Sequence, residues 1–184
     1  MSTGGRTRGL VLWLLRHAKA ADDPPPGGSD HERPLAPRGR RDAAALGRRL
    51  GAGDLGFGAV DLPDLVLTSS AARTVETAQL VAGAHGVPID RRRRLYYGSP
   101  DDVLAEIRTI DDSVRSLMVV GHNPATHSLA LELLGDDDAV GRATLASFPT
   151  CACAVFDVGR ARWRDAAPGE VALRGFVRPP YTSA

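Results

Sequence analysis

Apolar positions along the chain follow two periods. Leu10 to Leu15 is an unbroken apolar run of strand length, the pattern of a central strand covered on both faces. It is expected in the middle of a sheet. Asp64-Leu65-Val66-Leu67-Thr68 and Ser116-Leu117-Met118-Val119-Val120-Gly121 read as further buried strands, and Val87 to Arg91 as a short one. Between these runs the period becomes helical. Ala44, Leu46 and Leu50 among arginines predict an amphipathic helix from Arg38 to Leu50, ended by Gly51 and Gly53. Val75, Ala78, Gln79 and Ala82 predict a second helix, with Ser69 or Ser70 as its cap. Ser99-Pro100-Asp101-Asp102 carries the cap, first-turn proline and early acids of a third, running to about Ile110. Asn123 reads as the N-cap of a fourth, from Ala125 to Leu134.

Strands alternating with helices up to Leu134 predict an α/β fold, a three-layer αβα sandwich around a mainly parallel sheet. The C-terminal runs Cys151 to Val158, Arg160 to Arg164 and Val171 to Val177 are separated by Gly and Pro, and are expected as antiparallel edge strands. With 184 residues and no internal repeat, one domain is expected, preceded by a flexible segment over residues 1–8. Ala20 to Pro37 is rich in Asp, Pro, Gly and Ser, a long loop of the kind that borders a site.

Composition narrows the partners. The formal net charge is +1, which gives no reason to expect a nucleic-acid or acidic-membrane partner. The run Arg91 to Arg94 has no interleaved aromatic platform and is expected as a solvated face. Arg6 and Arg8 before the first apolar run superficially resemble a signal peptide, but the run is short and ends in Arg16-His17 instead of a small-residue cleavage site. A cytoplasmic protein is expected, with no membrane partner. Cys151 and Cys153, two apart in an expected strand, share a face and are read as reduced core residues. No residue pattern specifies an oligomeric state.

Three expected strands end in polar groups: Arg16-His17, Ser69 to Arg73, and His122-Asn123. In a parallel sheet these ends converge on one crevice, where open α/β folds bind ligands. Guanidinium groups match phosphate oxygens, and helix starts near Ser70 and Asn123 offer further N–H donors. A neutral imidazole whose second nitrogen is held by a hydrogen bond is a competent nucleophile toward phosphorus. Metal binding fits less well. His122 and His127 are five apart, off one helix face, and no acid or thiol stands at ligand spacing beside them. No metal or other cofactor is expected. His31 and His85 are expected on the surface.

Three ordered blocks carry a family resemblance. Leu15-Arg16-His17-Ala18 resembles the Arg-His-Gly signature of the histidine phosphatase superfamily, the group related to cofactor-dependent phosphoglycerate mutase. Thr68-Ser69-Ser70-Ala71-Ala72-Arg73-Thr74-Val75-Glu76-Thr77 resembles its second arginine block, and Val120-Gly121-His122-Asn123-Pro124 its second histidine block. Glu32-Arg33-Pro34-Leu35 with Gly39 is most similar to the SixA phosphohistidine phosphatase group. The resemblance implies His17 as the phosphorylated nucleophile, with Arg16, Arg73 and His122 forming the phosphate pocket. Arg33, Ser69 and Asn123 are expected as further substrate-binding residues. Ala18 stands where glycine is usual, and Ser70 where proline is often found.

Mutases and many phosphomonoesterases of this superfamily carry an acid that protonates the leaving alkoxide. No such acid is assigned here: the segment expected to hold it reads Arg94-Leu95-Tyr96-Tyr97-Gly98-Ser99, and Asp101 and Asp102 serve a helix start. Asp22, Asp23 and Asp30 of the loop remain as donors. The histidine of a phosphohistidine leaves as neutral imidazole without such an acid when its other ring nitrogen carries a proton, given a ring pKa of ~6.5. The expected partner is therefore a phosphorylated protein. The alternatives are a small phosphorylated metabolite as substrate, or a phosphate-binding module without catalysis.

Overall fold

The computed structural model describes residues 9–58, 60–135 and 137–181, so the expectation for residues 1–8 lies outside the described residues. Six strands form one sheet: β1 (Leu10–Arg16), β2 (Leu65–Ser69), β3 (Ile89–Arg92), β4 (Ser116–Gly121), β5 (Cys153–Val158) and β6 (Val171–Val177). Their order is β3-β2-β4-β1-β5-β6. β3, β2, β4 and β1 are parallel, whereas β5 runs antiparallel to β1 and β6 antiparallel to β5. The helices are α1 (Pro37–Gly51), α2 (Ala72–Val81), α3 (Pro100–Arg108), α4 (Ala125–Leu134) and the short α5 (Ala139–Thr144). No helix among the described residues is long and apolar enough to cross a membrane.

The unbroken apolar run of β1 has a direct cause. Leu10, Leu12 and Leu14 enter one core with Val103, Leu104 and Ile107 of α3 and Leu129 and Leu133 of α4. Trp13 and Leu15 point the other way, into a second core with Ala43, Leu46 and Leu50 of α1 and Ala78 and Val81 of α2. Helices on both faces leave no solvent side, so the usual alternation of apolar and polar residues disappears. The three layers and mainly parallel sheet are as the sequence predicts.

Several local expectations are corrected. The 160–164 segment is not a strand; it leads into a short 3-10 turn over Trp163–Asp165, whose buried Trp163 indole donates to the Val114 carbonyl at 2.6 Å. β5 is interior, between β1 and β6, so only β6 is an edge on that side. Cys151 precedes the strand in a left-handed conformation with φ 65, although both cysteines are free and buried. The cap of α2 is Ala71, without a side-chain bond, while Ser69 and Ser70 lie farther back. α4 begins after Pro124, not after a capping Asn123. The α3 start has the capping box expected, with Ser99 Oγ accepting from the Asp102 amide at 3.2 Å.

Two glycines bring elements close. A Cβ on Gly39 would lie 2.1 Å from the Lys19 carbonyl, so glycine there lets α1 pack directly on the backbone just past β1. A Cβ on Gly47 would meet the Leu80 carbonyl at 2.4 Å, and its absence sets α1 against α2. The loop between β1 and α1 is tied at its base by pairing of Ala20 with Leu35.

Candidate active site

Strand register brings the three polar segments to one level. Val120 of β4 pairs with Leu15 on one side and with Thr68 on the other, so β1, β4 and β2 end together. Arg16 and His17, Ser69, and His122 therefore sit at the adjoining carboxyl ends of three neighbouring strands. The His17 and His122 rings meet edge to face with centroids 5.2 Å apart.

Backbone and side-chain bonds hold each ring. His17 Nδ1 lies 2.7 Å from the Ala18 carbonyl, which can only accept, so Nδ1 carries the proton and Nε2 the lone pair. The Ala18 amide in turn donates to Thr77 Oγ1 at 3.0 Å, fixing the turn after β1 to α2. Ala18 is absent from the positive-φ residues, which is why alanine replaces glycine there without strain. His122 Nε2 lies 2.8 Å from Ser69 Oγ.

Burial keeps both rings neutral. It pushes the His17 pKa down to about 4, helped by the charges of Arg73, Arg16 and Arg33 and opposed by the bond to Ala18. Burial also takes His122 down to about 3, with His17 and Arg73 adding to the effect and Asp30 opposing it. Asp30 is the carboxylate whose charge acts on the His122 ring.

Arg16 Nη1 donates to the Phe148 carbonyl at 2.8 Å, and Asn123 Nδ2 donates to the same oxygen at 3.0 Å. Among the described residues, Arg16 Nε and Asn123 Oδ1 are buried atoms without a hydrogen-bond partner. Asn123 is thus placed beside Arg16 as a brace for the loop before β5. Arg73, 8 % exposed, donates through Nη1 to the Asp30 carbonyl at 2.8 Å and through Nη2 to Asp30 Oδ2 at 3.1 Å. Arg33 donates to Asp30 Oδ1 at 2.8 Å and to the Ala21 carbonyl at 3.0 Å. All seven residues expected at the site lie around this crevice or its loop.

Two residues, His31 and Tyr96, were misjudged or missed from sequence, and Asp30 is picked out from three candidates. His31 is half-buried at the rim: Nε2 is 2.9 Å from Ser70 Oγ, and its ring meets Tyr96 at 4.7 Å. Tyr96 stands 5.6 Å from the His122 ring and 5.7 Å from the Arg73 guanidinium carbon, and its hydroxyl donates to Asp30 Oδ2 at 2.9 Å. Asp30 was one of three loop acids, and the structure singles it out. The only sequence signal for Tyr96 was its place in the segment where an acid was expected. A recess of about 640 Å³ beside the site is lined by Ser29, His31, Ser70, Tyr96 and the exposed Tyr97. Among the described residues, no three His, Cys, Asp or Glu side chains cluster as a metal site.

Comparison with known proteins agrees with this geometry. The model of the histidine phosphatase superfamily (branch 1) matches residues 12–96, which include His17 and Arg73. An uncharacterised protein of Mycobacterium tuberculosis is 41 % identical over 170 residues, covering 90 % of this chain and 99 % of that one. The structure of a candidate phosphohistidine phosphatase SixA from Nakamurella multipartitia superposes with TM-score 0.78 at 30 % identity, over 94 % of this chain and 97 % of the other. Its counterpart from Agrobacterium tumefaciens gives TM-score 0.73 at 30 % identity, over 93 % and 99 %. By sequence, fold and the convergence of two histidines with two arginines, the chain belongs to the histidine phosphatase superfamily, among its SixA-like members.

Proposed function

We propose that this phosphatase works through a phosphoryl group carried transiently on His17 and that its substrate is phosphohistidine in a protein. The observation that carries the reading is the locked, neutral His17 ring: its Nδ1–H is committed to Ala18, so Nε2 holds a lone pair at neutral pH. In the first step Nε2 attacks phosphorus and the bond from phosphorus to the substrate nitrogen breaks, the electron pair leaving with that imidazole. In the second, water attacks the phosphoryl group, the bond to His17 breaks, and its pair returns to Nε2. Inorganic phosphate leaves with the hydroxyl from water, and the remaining proton passes to solvent.

Arg16 and Arg73 offset the charge on the equatorial phosphoryl oxygens. The unpartnered Arg16 Nε supports this role, since a buried donor left unpaired costs about 1–3 kcal/mol unless an acceptor is part of its function. His122, held by Ser69 and with its ring 5.2 Å from that of His17, is the second imidazole assigned to the phosphoryl group in this reading.

The preference for phosphohistidine rests on Asp30. It is the carboxylate bound to Arg73, and in the free enzyme the Tyr96 hydroxyl together with Arg73 and Arg33 holds its pKa below the ordinary carboxylate range; turned out into water it is still ionised at neutral pH. An ionised carboxylate has no proton to give an alkoxide. A phosphohistidine whose other ring nitrogen is protonated needs none, because neutral imidazole is a good leaving group.

A substrate panel with chelator present tests the reading. Phosphohistidine protein should be turned over faster than alkyl phosphates, and an acid-free quench followed by mass spectrometry should find phosphate on His17. Faster turnover of alkyl esters rejects the substrate assignment; full activity in His17→Ala rejects the intermediate.

A further inference from the structure

Asp30 is bound more completely than a loop carboxylate needs to be. Its Oδ2 accepts from Arg73 at 3.1 Å and from the Tyr96 hydroxyl at 2.9 Å, and its Oδ1 accepts from Arg33 at 2.8 Å. Its backbone carbonyl accepts a second bond from Arg73 at 2.8 Å. Two of the cations that act on the His17 ring are thus engaged by one carboxylate. A phosphoryl group on His17 needs the same guanidinium hydrogens, and two anions cannot share them without strong repulsion.

The turn that carries Asp30 lets its side chain leave alone. Asp30–Glu32 is a short 3-10 turn whose start is closed independently, the Ser29 amide donating to Glu32 Oε2 at 2.8 Å. The Asp30 side chain is 51 % exposed, so rotation takes the carboxylate into water. Its carbonyl can keep its hold on Arg73 Nη1 while Nη2 is released.

We infer that Asp30 is the resident counter-ion of the phosphate pocket, displaced from Arg73 and Arg33 by the arriving phosphoryl group and returning to them as inorganic phosphate departs. The inference rests on the reading of Arg73 as a phosphate ligand. Asp30 acts through the arginines and not on the substrate, so it is a positioning residue. Its effect is a threshold: weakly held anions, the product among them, lose the competition that a substrate anchored elsewhere on the enzyme wins.

The test is calorimetric titration of inorganic phosphate into the wild-type protein, Asp30→Asn, Tyr96→Phe and Arg73→Ala, each checked for folding by circular dichroism. Asp30→Asn keeps the side-chain shape without the charge, and phosphate should bind roughly tenfold tighter. Turnover of a small aryl phosphate by the same variant should become more sensitive to inhibition by phosphate. Tyr96→Phe, which removes one of the bonds retaining the carboxylate, should shift phosphate affinity the same way by less. Unchanged or weaker phosphate binding in a folded Asp30→Asn overturns the inference, because a residue that only anchors Arg73 would loosen the site when removed. Retention of full phosphate affinity by Arg73→Ala would instead reject the underlying assignment of Arg73. Should Asp30→Asn fail to fold, the sign of the shift in Tyr96→Phe decides.

Discussion

His17 and Ala18 are joined by a hydrogen bond of 2.7 Å from the imidazole Nδ1–H to the carbonyl of the next residue. A neighbour's carbonyl cannot swing away, so the tautomer is set by the backbone and Nε2 is left as the nucleophilic atom. The phosphorylated intermediate should therefore carry phosphorus on Nε2. Phosphorus and nitrogen NMR of the trapped species distinguishes the two ring positions, and a bond at Nδ1 would contradict the assignment.

Both site histidines are neutral when folded, which gives stability a definite pH dependence. The pKa of His17 falls from 6.5 to about 4 and that of His122 from 6.5 to about 3. Between roughly pH 6.5 and those lower values the unfolded chain binds more protons than the native one, so stability declines as pH falls. His17 alone contributes on the order of 3 kcal/mol across that window. Denaturant titrations from pH 7.5 to 5 should show the decline, and it should be smaller in His17→Gln. A flat profile would mean that the rings titrate normally.

Ser69 is the hydroxyl that fixes His122, at 2.8 Å. Ser69→Ala should lower kcat/KM by ~10-fold, about one lost hydrogen bond in the transition state. Stability should change by about 1 kcal/mol or less. Steady-state kinetics on phosphohistidine protein and on a small aryl phosphate check this, since the loss should be equal for both.

Arg16→Lys keeps the charge but not the fork. One arm of Arg16 holds the Phe148 carbonyl while Nε is free to meet an anion, and a single ammonium cannot do both. A loss of roughly 100-fold in kcat/KM is expected, or about 2.7 kcal/mol. Wild-type kinetics in this variant would place Arg16 outside the phosphate pocket.

Leu14 is fully buried between β1 and the α3–α4 layer. Leu14→Ala should destabilise the fold by about 2–5 kcal/mol through the cavity it leaves. Activity per folded molecule should persist, because the side chain points away from the crevice into the core. Thermal unfolding combined with active-site titration separates the two effects.

Fold class and the main site histidines were legible because they depend on local pattern. An apolar run without alternation means two covered faces, and a polar residue directly after such a run must lie at a strand end. The C-terminal half of the sheet was less legible. Arg160 to Arg164 has enough alternation for a strand, yet Trp163 is buried through its own turn, with its indole bonded to the Val114 carbonyl. Asn123 looked like a helix cap because Asn before Pro commonly is one. Its amide is instead spent on the Phe148 carbonyl, a partner 25 residues away.

The sequence alone determined the three-layer sheet architecture, the order of the blocks and the identity of Arg16, His17, Arg73 and His122 as a converging set. Periodicity and strand ends are properties of neighbouring residues, so one sequence suffices to read them. Tertiary structure decided which nitrogen of His17 is available, that both histidines are neutral, and that Asp30 and Tyr96 belong to the site. Those outcomes depend on burial and on contacts between residues far apart in the chain, such as Asp30 with Arg73 and Tyr96, for which no local pattern exists.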